Sequence, residues 1–229
     1  GQHVDEFTNL PAASTTAITS FSDASTPTLA AGGTQTEAEL TGGTNNDAMA
    51  APRNLTVTAS NVSSFTPSGN VTAVGEDVYG NTITEAIAIT AGTTVVGAKM
   101  FKRVVSITVP VQADGAGETV SVGFGALIGF TQKARVKTGE TTLNPIQQVA
   151  VGAVVTTGTF ALPAVGVPNG SYSPAAAADG TRDYALTYLV ERGAVQNPTS
   201  APPYGAYIPA IDGNALDVSI AYEYDATAP

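Results

Sequence analysis

Two runs of alternating residues, 71–78 and 82–89, meet at Tyr79-Gly80-Asn81, and this junction constrains the chain more than any other feature. Period-two alternation sends successive side chains to opposite faces of a strand. Gly-Asn between two such runs is a hairpin signal. In the second arm Ile83, Glu85, Ile87 and Ile89 share one face, while Thr82, Thr84, Ala86 and Ala88 share the other.

From Arg53 onward the same texture repeats, with turns about every 8–12 residues, the pattern of a sandwich or barrel. Residues 55–59 alternate Leu/Thr/Val/Thr/Ala. Residues 101–109 set Phe101, Arg103, Val105, Ile107 and Val109 against Lys102, Val104, Ser106 and Thr108. Residues 119–124 read as a strand with Val120 and Val122 inward, 147–156 as an apolar β-branched run, and 159–162 as a strand entering a Pro/Gly loop. Residues 182–190 close the body, with Tyr184, Leu186, Tyr188 and Val190 pointing one way. Charged residues make up only 12% of the chain, whereas Gly, Pro, Ala, Thr and Ser abound, a balance that favours strands and turns over helices. The expected fold is all-β, an antiparallel β-sandwich of jelly-roll or Ig-like type, with an extended N-terminal arm and a C-terminal strand extension.

Charge divides the chain. The formal net charge is −10, yet residues 1–50 hold six acids and no Lys or Arg, and residues 193–229 hold four acids and no Lys or Arg. The middle is neutral. Three segments are therefore expected: an extended acidic arm over 1–50, a β-sandwich body over 51–192, and a Pro-rich connector with a last strand over 193–229. The apolar residues of the arm (Leu10, Ile18, Phe21, Leu29, Leu40) follow no period and cannot make a core alone, so it is either disordered or pinned in extended form by a larger surface. In the tail, Pro198, Pro202, Pro203 and Pro209 oppose helix and central strand, and residues 216–224 then alternate again, with Val218, Ile220, Tyr222 and Tyr224 on one face. That strand must pair in its own sheet or augment another subunit's.

Reactive side chains are scarce. With no Cys and no Trp and a single His, disulfides, thiol nucleophiles and Cys-based or paired-His zinc sites are excluded. The one imidazole, His3, falls in the loose arm, where a catalytic triad has no cleft to fix it. Glu76-Asp77 with Glu85, or Asp114 with Glu118, are formal carboxylate pairs, but they read better as turn acids bonding nearby amides. Asp114-Gly115-Ala116-Gly117-Glu118 and Asp179-Gly180-Thr181-Arg182-Asp183 lack the alternating oxygen ligands of a calcium loop. The run 123–129 has its third Gly one position late for a dinucleotide fingerprint, and no helix pattern follows it. No enzyme activity, cofactor, metal or nucleic-acid partner is expected. Residues 1–10 lack the basic and apolar regions of a signal peptide, and no stretch approaches the roughly 18 apolar residues of a membrane span, so no membrane association is expected either.

The ordered set Arg53-Asn54-Leu55-Thr56-Val57-Thr58, then Gly75-Glu76-Asp77-Val78-Tyr79-Gly80-Asn81-Thr82-Ile83-Thr84-Glu85, then Phe101-Lys102-Arg103-Val104-Val105-Ser106-Ile107-Thr108-Val109 and Thr119-Val120-Ser121-Val122-Gly123 resembles β-sandwich structural proteins of tailed bacteriophages. Asp179-Gly180-Thr181-Arg182-Asp183-Tyr184 resembles a further segment of that group. The match covers residues 53–129 and part of 179–190, and both ends fall outside it. Its motifs are turns and strand faces, with no catalytic residue to transfer.

The resemblance implies a virion protein: a capsid decoration (cement) protein bridging neighbouring major capsid subunits, or a head-spike base, neck or tail adaptor. A homotrimer on the capsid surface is expected. The basic stripe Lys133, Arg135 and Lys137 and the tyrosines Tyr204, Tyr207, Tyr222 and Tyr224 are the expected interface residues. The same tyrosines are the only candidates for the aromatic platform of a carbohydrate-binding or adhesin module, a competing reading.

Overall fold

The computed structural model describes residues 2–40, 49–60, 66–113, 117–134, 148–151, 154–155, 158–161, 167 and 169–190. Among these residues the regular structure is β throughout, in three antiparallel sheets, and no helix is long and apolar enough to cross a membrane. In chain order the strands are β1 (Gln2–Phe7), β2 (Ser14–Phe21), β3 (Gly33–Thr36), β4 (Arg53–Ala59), β5 (Asn70–Glu76), β6 (Thr82–Ala88) and β7 (Thr94–Val96). They continue as β8 (Arg103–Val109), β9 (Val120–Gly129), β10 (Gln148–Val151), β11 (Val154–Val155), β12 (Gly158–Ala161), β13 (Ser171–Pro174) and β14 (Tyr184–Leu189).

The third sheet, in order β3-β8-β5-β6, is built on the hairpin read from the sequence. Asp77 closes its turn by accepting the amides of Tyr79 (2.8 Å) and Asn81 (2.9 Å), and Gly80 takes the left-handed conformation the turn requires, at φ 79°. Ile87 is buried on the expected face and Ile83 packs against the same core. In β8 the alternation slips. Val74 pairs with Ser106 but Gly75 pairs with Val104, so Val105 is the extra residue of a bulge. The side chains that enter the core are therefore Val104, Ile107 and Val109, while Arg103 and Val105, which the alternation sets on the face of Ile107 and Val109, are only half-buried.

The second sheet is centred on β9, which runs beyond the expected residue 124 to Gly129 because it serves several partners. β4 lies along one edge, while β2 and then β13 share the other. β7 pairs with β4, and β12 with β13. The β4·β7, β5·β6 and β5·β8 pairings repeat those of strands B·E, C·C′ and C·F in an immunoglobulin-type sandwich. β9 beside β4 and β3 beside β8 stand where that fold has its first and last strands. One buried cluster joins the two sheets, with Leu55, Val57, Val120, Val122, Ile18 and Phe21 on one side and Val71, Ala73, Ile87, Val104, Ile107 and Val109 on the other. Each large member contributes about 1.5–3 kcal/mol by leaving water. The arrangement is sandwich-like.

The first sheet, in order β1-β14-β10-β11, has its own core. Phe7, Leu10, Tyr184, Leu186 and Tyr188 cluster with Phe130 and Tyr172, and Val190 packs against them half-buried.

The N-terminal segment is thus built into the body. β1, β2 and β3 each join a different sheet, and Leu10, Ile18, Phe21, Leu29 and Leu40 are all buried. The missing period has a physical cause: β2 pairs Ser14 with Phe124 but Thr19 with Val122, an irregularity that breaks any alternation along it. Of the expected third segment, residues 193–229 lie outside the described residues.

Candidate functional site

The densest polar constellation surrounds Asp5, which β1 carries 4% exposed into the second core. Its Oδ2 accepts the Thr131 amide at 2.9 Å and the Tyr188 hydroxyl at 2.7 Å. Its Oδ1 accepts the Thr131 hydroxyl and the Nε2 of His3 at 2.9 Å. The His3 ring also stands edge-on to Tyr188, with centroids 5.5 Å apart, and Tyr188 stacks on Phe130 at 4.5 Å. Burial first, and then the Asp5 charge, hold the Tyr188 hydroxyl well above the ordinary tyrosine range. Tyr188 therefore stays a donor.

His3 is accordingly in a paired strand and not in a loose arm, and an acid and a hydroxyl stand beside it. The arrangement still does not make a nucleophile. A triad uses one imidazole nitrogen for the acid and the other for the hydroxyl. Here Nε2 faces both Asp5 and the Thr131 hydroxyl (3.2 Å), and that hydroxyl already donates to Asp5. The cluster binds β1 to β14 and to the residues after β9, tying together positions 126 and 183 residues apart in sequence. Its partners were invisible in the sequence for that reason.

Arg53 is the second unexpected polar residue, 0% exposed at the start of β4. Its guanidinium donates to the Gly125 carbonyl (2.9 Å from Nε) and to the Pro11 carbonyl (3.1 Å), and lies 4.9 Å from the Phe124 ring centroid. Desolvation lowers its pKa to about 10. Phe124 belongs to the first core, while Leu10, beside Pro11, belongs to the second, so Arg53 fastens the two together.

The turn acids engage nearby groups. Glu85 accepts the Ala98 amide at 2.6 Å, and Asp179 accepts the Thr181 amide at 3.0 Å and pairs with Arg182 at 3.2 Å. Among the described residues no three His, Cys, Asp or Glu stand together as metal ligands. Residues 114–116 of the other candidate loop lie outside them. The glycine-rich run 123–129 is the far half of β9, where Gly123 lets the β2 backbone approach and Gly125 lies against the Asn54 amide.

Among the described residues, a candidate contact surface is the outer face of the third sheet. Two registered rows cross it, Thr34–Thr108–Thr72–Ala86 and Thr36–Ser106–Val74–Thr84. Short side chains keep these rows low, and the Thr34 and Thr108 hydroxyls bond at 2.7 Å. At one end Arg103 bonds Glu37 (2.7 Å from Nε) and Glu76 (3.2 Å), and that bond to Arg103 holds the Glu37 carboxyl below its usual range. Of the expected interface residues, Lys133 is half-buried beside the Ala134–Val190 bridge and is engaged in an interaction. Arg135, Lys137, Tyr204, Tyr207, Tyr222 and Tyr224 lie outside the described residues. The alternation of 82–89 and 101–109 puts Thr84, Ser106 and Thr108 on strand faces, but only the pairing of β3, β8, β5 and β6 aligns them into rows.

No family model, no curated protein and no solved structure matches the chain.

Proposed function

We propose that this chain is a structural subunit of a tailed-bacteriophage virion, a capsid decoration protein that stabilises the head by bridging neighbouring major capsid subunits. The observation that carries the reading is the outer face of the third sheet. Short residues in register, Thr34, Thr36, Thr72, Val74, Thr84, Ser106 and Thr108, offer a low surface of small groups. Such a face suits the centre of a protein interface, whose standard size of about 800 Å² per partner takes in the residues around it as well. The segments that resemble phage proteins include three of the four strands that build it, β5, β6 and β8, together with β4 and β9 behind it.

Function on this reading is adhesion by area: complementary packing over the sheet, and hydroxyls satisfying the partner's polar rim. The chain acts as a homotrimer whose partners are itself and the major capsid protein. Purified chain mixed with capsids lacking it should cosediment at high copy number and raise their thermal stability, and light scattering should give a trimer mass. Replacing Thr72 or Thr108 by Arg, in the middle of the face, should abolish cosedimentation while leaving the β circular-dichroism signal intact. A monomer without affinity for capsids overturns the proposal, and a copy number of only a few per particle points to a neck or spike position.

A further inference from the structure

Residues 2–11 hold to one part of the molecule and the residues after them to another. β1 pairs with β14, from Gln2 opposite Leu189 to Phe7 opposite Tyr184. Phe7 and Leu10 enter the second core. Asn9, in the left-handed conformation at φ 49°, donates its amide to Asp183, and the Leu10 amide donates to the Arg182 carbonyl. From Ser14 on, the chain pairs with β9, and Ile18 and Phe21 enter the first core. Between the two lie Ala12 and Ala13, both exposed.

We propose that residues 2–11 are a strap that swings out as one unit about Ala12 and Ala13, and that the groove it leaves takes the same strap from a second copy of this chain. The groove selects its occupant. The Thr131 amide, the Thr131 hydroxyl and the Tyr188 hydroxyl converge on one carboxylate position, with apolar seats two and five residues further along for Phe7 and Leu10. Beyond them the Arg53 guanidinium awaits a carbonyl, which Pro11 supplies. Any copy's strap satisfies all of these groups, so exchange preserves each contact and alters only the two-residue hinge. This is the low-cost route to an oligomer that strand swapping provides. Asp5 is the latch, because it draws four donors across the strap boundary or along β1 itself.

The chain's lack of cysteine makes the test clean. Val4 and Thr187 are cross-strand partners, as are Glu6 and Ala185. Val4→Cys and Thr187→Cys, made in separate full-length chains, mixed and oxidised, should give disulfide-linked heterodimers, and the Glu6→Cys with Ala185→Cys pair should do the same. Hydrogen exchange should show residues 2–10 opening faster than β4 and β9, and Asp5→Asn should speed the strap alone by on the order of tenfold or more. Intrachain crosslinks in the double variants with no heterodimer from either mixture would overturn exchange between copies. Uniform acceleration of all strands by Asp5→Asn would overturn the strap as a separate unit. Heterodimers from chains that ignore capsids would refute the virion role and leave the strap standing; capsid binding by chains linked only within themselves would do the reverse.

Discussion

Asp5 and Tyr188, 183 residues apart in sequence, share a 2.7 Å hydrogen bond in the second core, where the hydroxyl is one of two donors to the same carboxylate oxygen. A bond to a buried charge contributes more than a neutral one, about 1.5–3 kcal/mol. Tyr188→Phe keeps the ring stacked on Phe130 and removes the hydroxyl, which donates to Asp5 and accepts the Gln132 amide at 3.0 Å. It should lower stability by at least that amount, read from the urea midpoint at unchanged slope.

Arg53 carries its charge in a desolvated site, with a pKa lowered to about 10 from the ordinary 12.5. A base whose folded pKa is depressed is better protonated in the unfolded chain, so stability rises with pH between the two values. For arginine that window is strongly alkaline. Arg53→Lys should bring its upper end down to about 10.4, the ordinary lysine value. The variant should be less stable than the parent at neutral pH and recover part of the difference as pH rises toward 10, measured by denaturant titration at each pH.

At Gly123 a Cβ would fall 1.7 Å from the Ser14 carbonyl oxygen and 2.5 Å from the Thr15 carbonyl carbon, both backbone atoms that cannot turn aside. Gly123→Ala should therefore cost about 3 kcal/mol or more, or release the start of β2. Gly80→Ala is the comparison. Nothing lies within 4 Å of a Cβ there, and only the positive φ resists it, so the cost should be about 1–2 kcal/mol. Thermal melts of the two variants should separate accordingly.

Thr19 of β2 donates its hydroxyl to the Gln35 side chain of β3, across the two sheets, with both residues buried. Gln35 in turn donates to the Thr26 carbonyl at 3.3 Å. A double-mutant cycle with Thr19→Val and Gln35→Leu should give a coupling of about 0.5–1.5 kcal/mol, with the double variant more stable than the sum of the singles predicts. A coupling near zero would mean the bond does not join the sheets.

Alternation and turn chemistry made much of the body legible. The β5–β6 hairpin, the inward Val120 and Val122 of β9, and the inward Tyr184, Leu186 and Tyr188 of β14 all follow from residue spacing. Where the backbone departs from regularity, spacing misleads. Val105 is an unpaired bulge residue that shifts the inward face of β8 to Val104, and the irregular pairing of β2 hides Ile18 and Phe21 among polar neighbours. Strands β7 and β13, three and four residues long, are too short to show any period.

The alternating runs, the turn residues and the shortage of reactive side chains determined from the sequence alone that the chain is β-rich and antiparallel, because strand periodicity and turn chemistry are local properties. Only the tertiary structure decided that residues 2–40 supply three strands and part of both cores, that Arg53 joins those cores, and that Asp5 gathers Thr131 and Tyr188. Those contacts link positions far apart in the chain, and each depends on backbone groups or buried donors that no local pattern encodes.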